Sequence, residues 1–250
     1  MQELISLFDE VVLYNFMMLF ARVLAFVAFM PIFGHNSVSA NIRVSFALFL
    51  SLFLFPMVKI NYEIDQISFI DGIIGEITLG LIGSMFFTVL FAAIRIIGDF
   101  VAYATALSMA NMFDPASGTQ ESIVSRFLYI VAILFFFNSG MYETTIVMLS
   151  SSFNMVELGT FNLYSVDGIG IAIVEIKRMF AFSFSFAFPL FFIAFVLDVY
   201  YGYGTKSMPA FSPFVITFQL KFALIFLFMM FALDMVMEAF RNYFIDMFSY

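Results

Sequence analysis

The chain has 250 residues, 64% of them hydrophobic and 11% charged, with a formal net charge of −8 and a mean hydropathy of +1.06. That composition excludes a soluble domain with an ordinary core and makes the bilayer the default solvent. The acidic balance excludes nucleic acid and anionic lipid headgroups as electrostatic partners, since both need a basic patch.

The apolar runs are long and continuous and lack the period-two alternation of a transmembrane barrel, so the spans are helical. The first, Val11 to Phe33, holds Arg22 near its middle. No Lys or Arg precedes Arg22, which argues for a segment retained in the mature protein rather than a cleavable signal. The run stops at Pro31-Ile-Phe-Gly34. A polar stretch from His35 to Asn41, then Arg43 and a shorter run from Val44 to Val58, complete a helical hairpin. Lys59 to Asp71 is an acidic loop. Beyond it Gly72, Glu76, Gly80 and Ser84 recur at every fourth position and share one helix face. Small residues at that spacing let helices approach closely in lipid, and the glutamate among them demands a specific partner.

Ile70 to Met112 is too long for one span, so two helices or one helix broken near Gly98 are expected. Inside it Arg95 and Asp99 stand four apart. Either they pair with each other or Arg95 meets a carboxylate elsewhere. An irregular polar loop follows at Asp114-Pro-Ala-Ser-Gly-Thr-Gln120, and loop backbone at bilayer depth needs the shelter of protein or water. Ile123 to Phe153 is apolar again, broken by Asn138-Ser-Gly140 and Glu143. Asn154 to Arg178 is the longest hydrophilic connection. Met179 to Val199 spans with Pro189 as a kink, Tyr200 to Pro209 is a link, and Phe214 to Met237 is the last run before an amphipathic tail. The prediction is an all-α membrane protein with about six or seven long apolar helices in hairpins, some of them broken. Loops carry only one or two Lys or Arg each, which leaves orientation open.

Catalysis is not expected. Cys and Trp are absent and His35 is the single histidine, so thiol chemistry, Cys/His metal sites and His-Glu-x-x-His sites are excluded. No cofactor is expected. An intramembrane serine protease would need a His or Lys base at depth, and the lysines lie at span ends. The 40 Phe residues match the bias of an AT-rich coding sequence as readily as a dedicated aromatic lining.

Several separated motifs, in order, resemble the FliR/SctT family of type III secretion export components. They are Arg22-Val-Leu-Ala-Phe-Val-Ala-Phe-Met-Pro-Ile-Phe-Gly34, Gly75-Glu-Ile-Thr-Leu-Gly80, Ala92-Ala-Ile-Arg-Ile-Ile-Gly-Asp99, Leu107-Ser-Met-Ala-Asn-Met-Phe-Asp-Pro-Ala-Ser-Gly118, Leu134-Phe-Phe-Phe-Asn-Ser-Gly140, Ser152-Phe-Asn-Met-Val-Glu-Leu-Gly159 and Met208-Pro-Ala-Phe-Ser-Pro-Phe-Val-Ile216. The chain departs from the family pattern at Met141, Glu157 and Gln219. The resemblance implies a core component of the flagellar export gate in the bacterial inner membrane, at the flagellar basal body. It implies FliP and FliQ subunits, joined by FlhB, as partners in a helical assembly, with unfolded secreted polypeptides as cargo and lipid around it.

The resemblance further implies one integral-membrane domain over 1–250, with a FliP-like part over about 1–125 and the remaining hairpins, including a FliQ-like part, over about 126–250. Its pore plug would be Met109, Asn111, Met112, Phe113, Asp114, Pro115, Ala116, Ser117, Gly118, Thr119 and Gln120. Flexible Met and Phe side chains suit a seal around varied chains. The intramembrane charges to be placed are Arg22, Glu76, Arg95 and Asp99, and the helix-packing residues Gly72, Gly80 and Ser84. The alternative from the charges alone is an ion- or proton-coupled secondary transporter using Arg95, Asp99 and Glu76.

Overall fold

The computed structural model describes residues 10–33, 38–62, 66–105, 107, 122–162, 168–207 and 213–248. The expected plug, Met109 to Gln120, and His35 lie outside the described residues. Every regular element among these residues is a helix: α1 (Glu10–Phe29), α2 (Ala40–Leu54) running into a 3₁₀ turn (Phe55–Met57), α3 (Gln66–Ala104), α4 (Ile123–Asn138), α5 (Met141–Met155), α6 (Gly168–Ser207) and α7 (Pro213–Met247). Five of these stretches are long and apolar enough to cross a membrane, and six if the broken pair α4 and α5 is one span. The count falls at the low edge of the hydropathy reading or below it, and the segment expected to be two helices or one helix broken near Gly98 is, over Gln66–Ala104, the single unbroken helix α3.

Local chemistry sets the boundaries. Glu10 places a negative charge in the first turn of α1, where the helix dipole favours it. Pro56 ends α2 in the 3₁₀ turn, closed by the Val58 N–H donating to the Phe55 carbonyl at 3.2 Å. Gly140 separates α4 from α5 in the left-handed region, φ +73°. The break read at Asn138-Ser-Gly140 falls there. Two other expected boundaries do not: α6 begins at Gly168, inside the stretch read as a hydrophilic connection, and runs to Ser207, through the stretch read as a link. Helix propagation adds a hydrogen bond for each residue fixed, so scattered Gly and charged residues lengthen a helix once its apolar part has formed.

The chain forms two compact units, each discontinuous in sequence. The first takes Met1–Thr88 and Ser139–Val174. In it Met18, Leu19, Val23, Phe26 and Val27 of α1 are buried, and Phe26 meets Phe87 of α3 edge-on at 5.6 Å. Gly72, Glu76, Gly80 and Ser84 are all buried along one face of α3. A Cβ at Gly80 would collide with the Arg22 carbonyl oxygen and with the Ala25 side chain, so α1 and α3 touch backbone to side there.

The second unit takes Val89–Asn138 and Glu175–Tyr250. Its centre is aromatic: Phe91 packs on Tyr129 at 5.7 Å, Phe136 at 6.0 Å and Phe240 at 5.5 Å. Edge-on and tilted ring pairs of this kind contribute about 0.5–1.5 kcal/mol each beyond their area. Gly98 lies in uninterrupted helix rather than at a break, and a Cβ there would collide with the Ser125 backbone of α4. The glycine serves close approach. Gly98→Ala should therefore cost about 1–3 kcal/mol through overpacking, whereas Gly204→Ala, with nothing within 4 Å of its added carbon, should be neutral or stabilising. Thermal unfolding of the detergent-solubilised variants distinguishes the two, and equal melting temperatures would contradict the contact.

Candidate functional site

Arg22 sits midway along α1 with 2% of its surface exposed, and Glu76 on the small-residue face of α3 has none. The two side chains form a bidentate pair, Nε to one carboxylate oxygen and Nη2 to the other at 3.1 Å. Arg22 has three further donors. Nη1 donates to the Ser152 carbonyl at 3.1 Å and to the Ser152 hydroxyl oxygen at 3.3 Å, and Nη2 donates to the Val156 carbonyl at 3.0 Å. All five guanidinium N–H groups are thereby used. The Phe153 ring covers the guanidinium face at 4.4 Å.

Glu76 is equally occupied. Besides Arg22 it accepts the Gly159 backbone N–H at 3.0 Å, and Gly159 presents that N–H from the left-handed conformation, φ +74°. Ser152 and Val156 lie at the C-terminal end of α5, where the dipole favours a cation; the Ser152 carbonyl accepts the Val156 N–H at 3.0 Å as well as the guanidinium. Arg22 thus caps α5 while neutralising Glu76. A buried ion costs several kcal/mol in desolvation unless its partner and remaining hydrogen bonds are well placed, and here every donor is matched. A second link runs alongside: the Asn15 amide donates to the Asn61 carbonyl at 2.9 Å, Asn15 Oδ1 accepts the Asn61 N–H at 2.9 Å, and the Asn61 amide reaches the Leu158 carbonyl at 3.1 Å.

Arg95 and Asp99, in the second unit, face α4. The Arg95 guanidinium lies 4.1 Å over the Tyr129 ring. Asp99 accepts the Ser122 hydroxyl at 2.8 Å, while Ser122 Oγ accepts the Ser125 N–H at 3.0 Å and so caps the start of α4. The Ser125 hydroxyl returns a bond to the Arg95 carbonyl at 3.0 Å. A pair that the sequence reading missed joins α6 to α7, Lys221 to Asp198 at 2.6 Å. Its signal was present in the single Lys and single Asp facing each other across the Tyr200–Pro209 stretch. Among the described residues no group of three or more His, Asp or Glu side chains is placed to hold a metal.

The three segments that meet at Arg22 and Glu76, namely 22–34, 75–80 and 152–159, are segments whose motifs resemble export components. The family described as bacterial export proteins, family 1, matches residues 13–247. The chain belongs to that family. Flagellar biosynthetic protein FliR of Bacillus subtilis (strain 168) is 27% identical over 98% of this chain and 93% of its own length. The protein of the same description from Aquifex aeolicus (strain VF5) is 23% identical over 96% and 93%, and that from Escherichia coli (strain K12) 24% over 80% and 76%. Membership of the FliR/SctT family and the apolar helices support a place in the bacterial inner membrane, at the flagellar basal body.

The arrangement fixes the consequence of disturbing it. Glu76→Gln leaves Arg22 charged and buried without its counter-ion and should destabilise the first unit by about 3–5 kcal/mol, whereas the double replacement Arg22→Met with Glu76→Leu should recover most of that loss. Accumulation in membranes and thermal unfolding measure both. A double variant no more stable than Glu76→Gln would show that the pair does more than neutralise itself.

Proposed function

We propose that the chain is a core component of the flagellar type III protein export gate, forming with FliP and FliQ the channel through which unfolded substrate proteins cross the inner membrane, with FlhB joining the assembly. The observation that carries this reading is the family match over residues 13–247, with FliR relatives aligned over most of both chains. The exposed apolar surface is in keeping with it. Only 17% of the apolar stretch of α2 and 22% of those of α6 and α7 is buried, against 44% for α1 and α3, so three helices offer apolar faces to lipid or to other subunits.

The seal of the channel is assigned to Met109 to Gln120. A conduit for unfolded chains must close against ions without a fixed chemical preference. Met109, Met112 and Phe113 supply adaptable apolar surface, which blocks ions by dewetting, and Asp114-Pro-Ala-Ser-Gly118 supplies a turn between the closing residues and the following helix. The FliP-like part over about 1–125 carries this loop and the FliQ-like part lies within about 126–250.

Removing Asn111 to Gln120 should open an ion leak in membranes containing the assembled complex, with the complex intact on a native gel. Conductance equal to wild type in an assembled deletion variant would sink the assignment of the seal.

A further inference from the structure

In the second unit α6 and α7 run antiparallel, tied by Lys221 to Asp198 near one end and by the Tyr243 ring stacked on Phe182 at 5.3 Å near the other. Beside that second tie lie two polar atoms enclosed by the fold. Glu175 precedes Phe182 by two helical turns and so shares its face of α6. It is only 5% exposed; one carboxylate oxygen accepts from Arg178 Nη1 at 3.1 Å, and the other, Oε2, has no hydrogen-bond partner among the described residues. Tyr243 on α7 is 9% exposed and within electrostatic reach of both Glu175 and Arg178, and its hydroxyl likewise has no partner among the described residues. The two atoms are chemically complementary. A carboxylate oxygen can only accept, whereas the phenol O–H needs an acceptor. A buried polar atom without a partner forfeits the hydrogen bond it made to solvent in the unfolded chain, so both atoms point to a ligand.

We propose that a single internal water molecule binds between Glu175 Oε2 and the Tyr243 hydroxyl, donating to the first and accepting from the second, as a polar joint between α6 and α7. The chemistry of the two atoms selects the ligand. A metal cation or an ammonium group would meet the carboxylate but leave the phenol proton without an acceptor, and Arg178 already supplies the carboxylate's counter-charge. An anion would accept from the phenol but face Glu175. Water supplies one donor and one acceptor without charge, and internal waters bind where two to four polar partners converge. With the Lys221 to Asp198 pair at the other end, the joint places directional ties at two separated levels of the helix pair. Such ties fix the register of α6 on α7, which apolar contacts leave loosely specified.

The test uses the full chain, purified with the subunits that accompany it, beside the variant Tyr243→Phe, which keeps the ring on Phe182 and removes only the hydroxyl. Experimental density at a resolution that shows ordered solvent should contain one peak about 2.7–3.0 Å from both Glu175 Oε2 and the Tyr243 oxygen. Tyr243→Phe should lower the melting temperature by about 2–4 °C, because the water loses one of its partners. Were the two oxygens dry, the same substitution would delete an unsatisfied polar group, and the melting temperature would stay level or rise. Either of those results overturns the joint. So does density in which the two oxygens touch directly or enclose an empty gap, and so does a peak ringed by further oxygens at about 2.3–2.6 Å, the signature of a cation. If Tyr243→Phe fails to accumulate, the density of the parent chain decides.

Discussion

The first unit depends on one requirement: a guanidinium and a carboxylate enclosed by apolar helices must satisfy each other and every remaining hydrogen-bonding group at once. Arg22 and Glu76 meet it with two carboxylate contacts, three bonds to the end of α5 and one from the Gly159 N–H. The geometry is possible only because Gly80 lets α3 close on the backbone of α1 at Arg22 itself. Small residues and the charge beside them are therefore parts of a single device. The glycines bring the helices near enough for a short carboxylate to reach, and the ion pair fixes which rotation of each helix faces the other. Apolar packing in lipid lacks that selectivity, because hydrocarbon tails are as good a neighbour for Leu as another helix is.

The second unit solves the same problem by other means. Phe91, Phe136, Phe240 and Phe244 fill its centre, with Phe136 and Phe244 at 6.2 Å. Polar groups buried in it satisfy one another locally: Ser122 caps α4 and meets Asp99, and the Ser183 hydroxyl donates to the Ala93 carbonyl at 3.0 Å. Ring shape specifies much of this packing, with the Lys221 to Asp198 pair joining α6 to α7 beside it. The abundance of Phe, which composition alone explains equally well by coding bias, here supplies much of the interior volume.

Helical class and the small-residue face of α3 were legible in the sequence because both follow from patterns read along one helix, continuous apolar runs and a spacing of four. The break at Gly140 was legible for the same local reason. What lay beyond it was pairing across distance. Arg22 and Glu76 each stood out as ions in apolar runs, yet nothing in either segment names the other, and Ser152, Val156 and Gly159 contribute mainly backbone atoms that every residue possesses. Gly98 shows the limit in the opposite sense. A glycine beside charges reads as a weak point, and only the position of Ser125 reveals it as a contact. The ends of α6 were misplaced because Gly, Tyr and Lys argue locally for a loop, while propagation from a long apolar helix carries through them.

The wide sequence separation of the groups around Arg22 also imposes an order on biosynthesis. Arg22 and Glu76 leave the ribosome well before Gly159, and at about 5–20 residues per second the interval from Glu76 to Gly159 is on the order of 4–17 s. For that time the nascent chain holds a guanidinium with three N–H groups lacking their final acceptors. The early hairpins must therefore wait beside water or inside the insertion machinery, and the first unit closes only when the turn at Gly159 arrives to complete it.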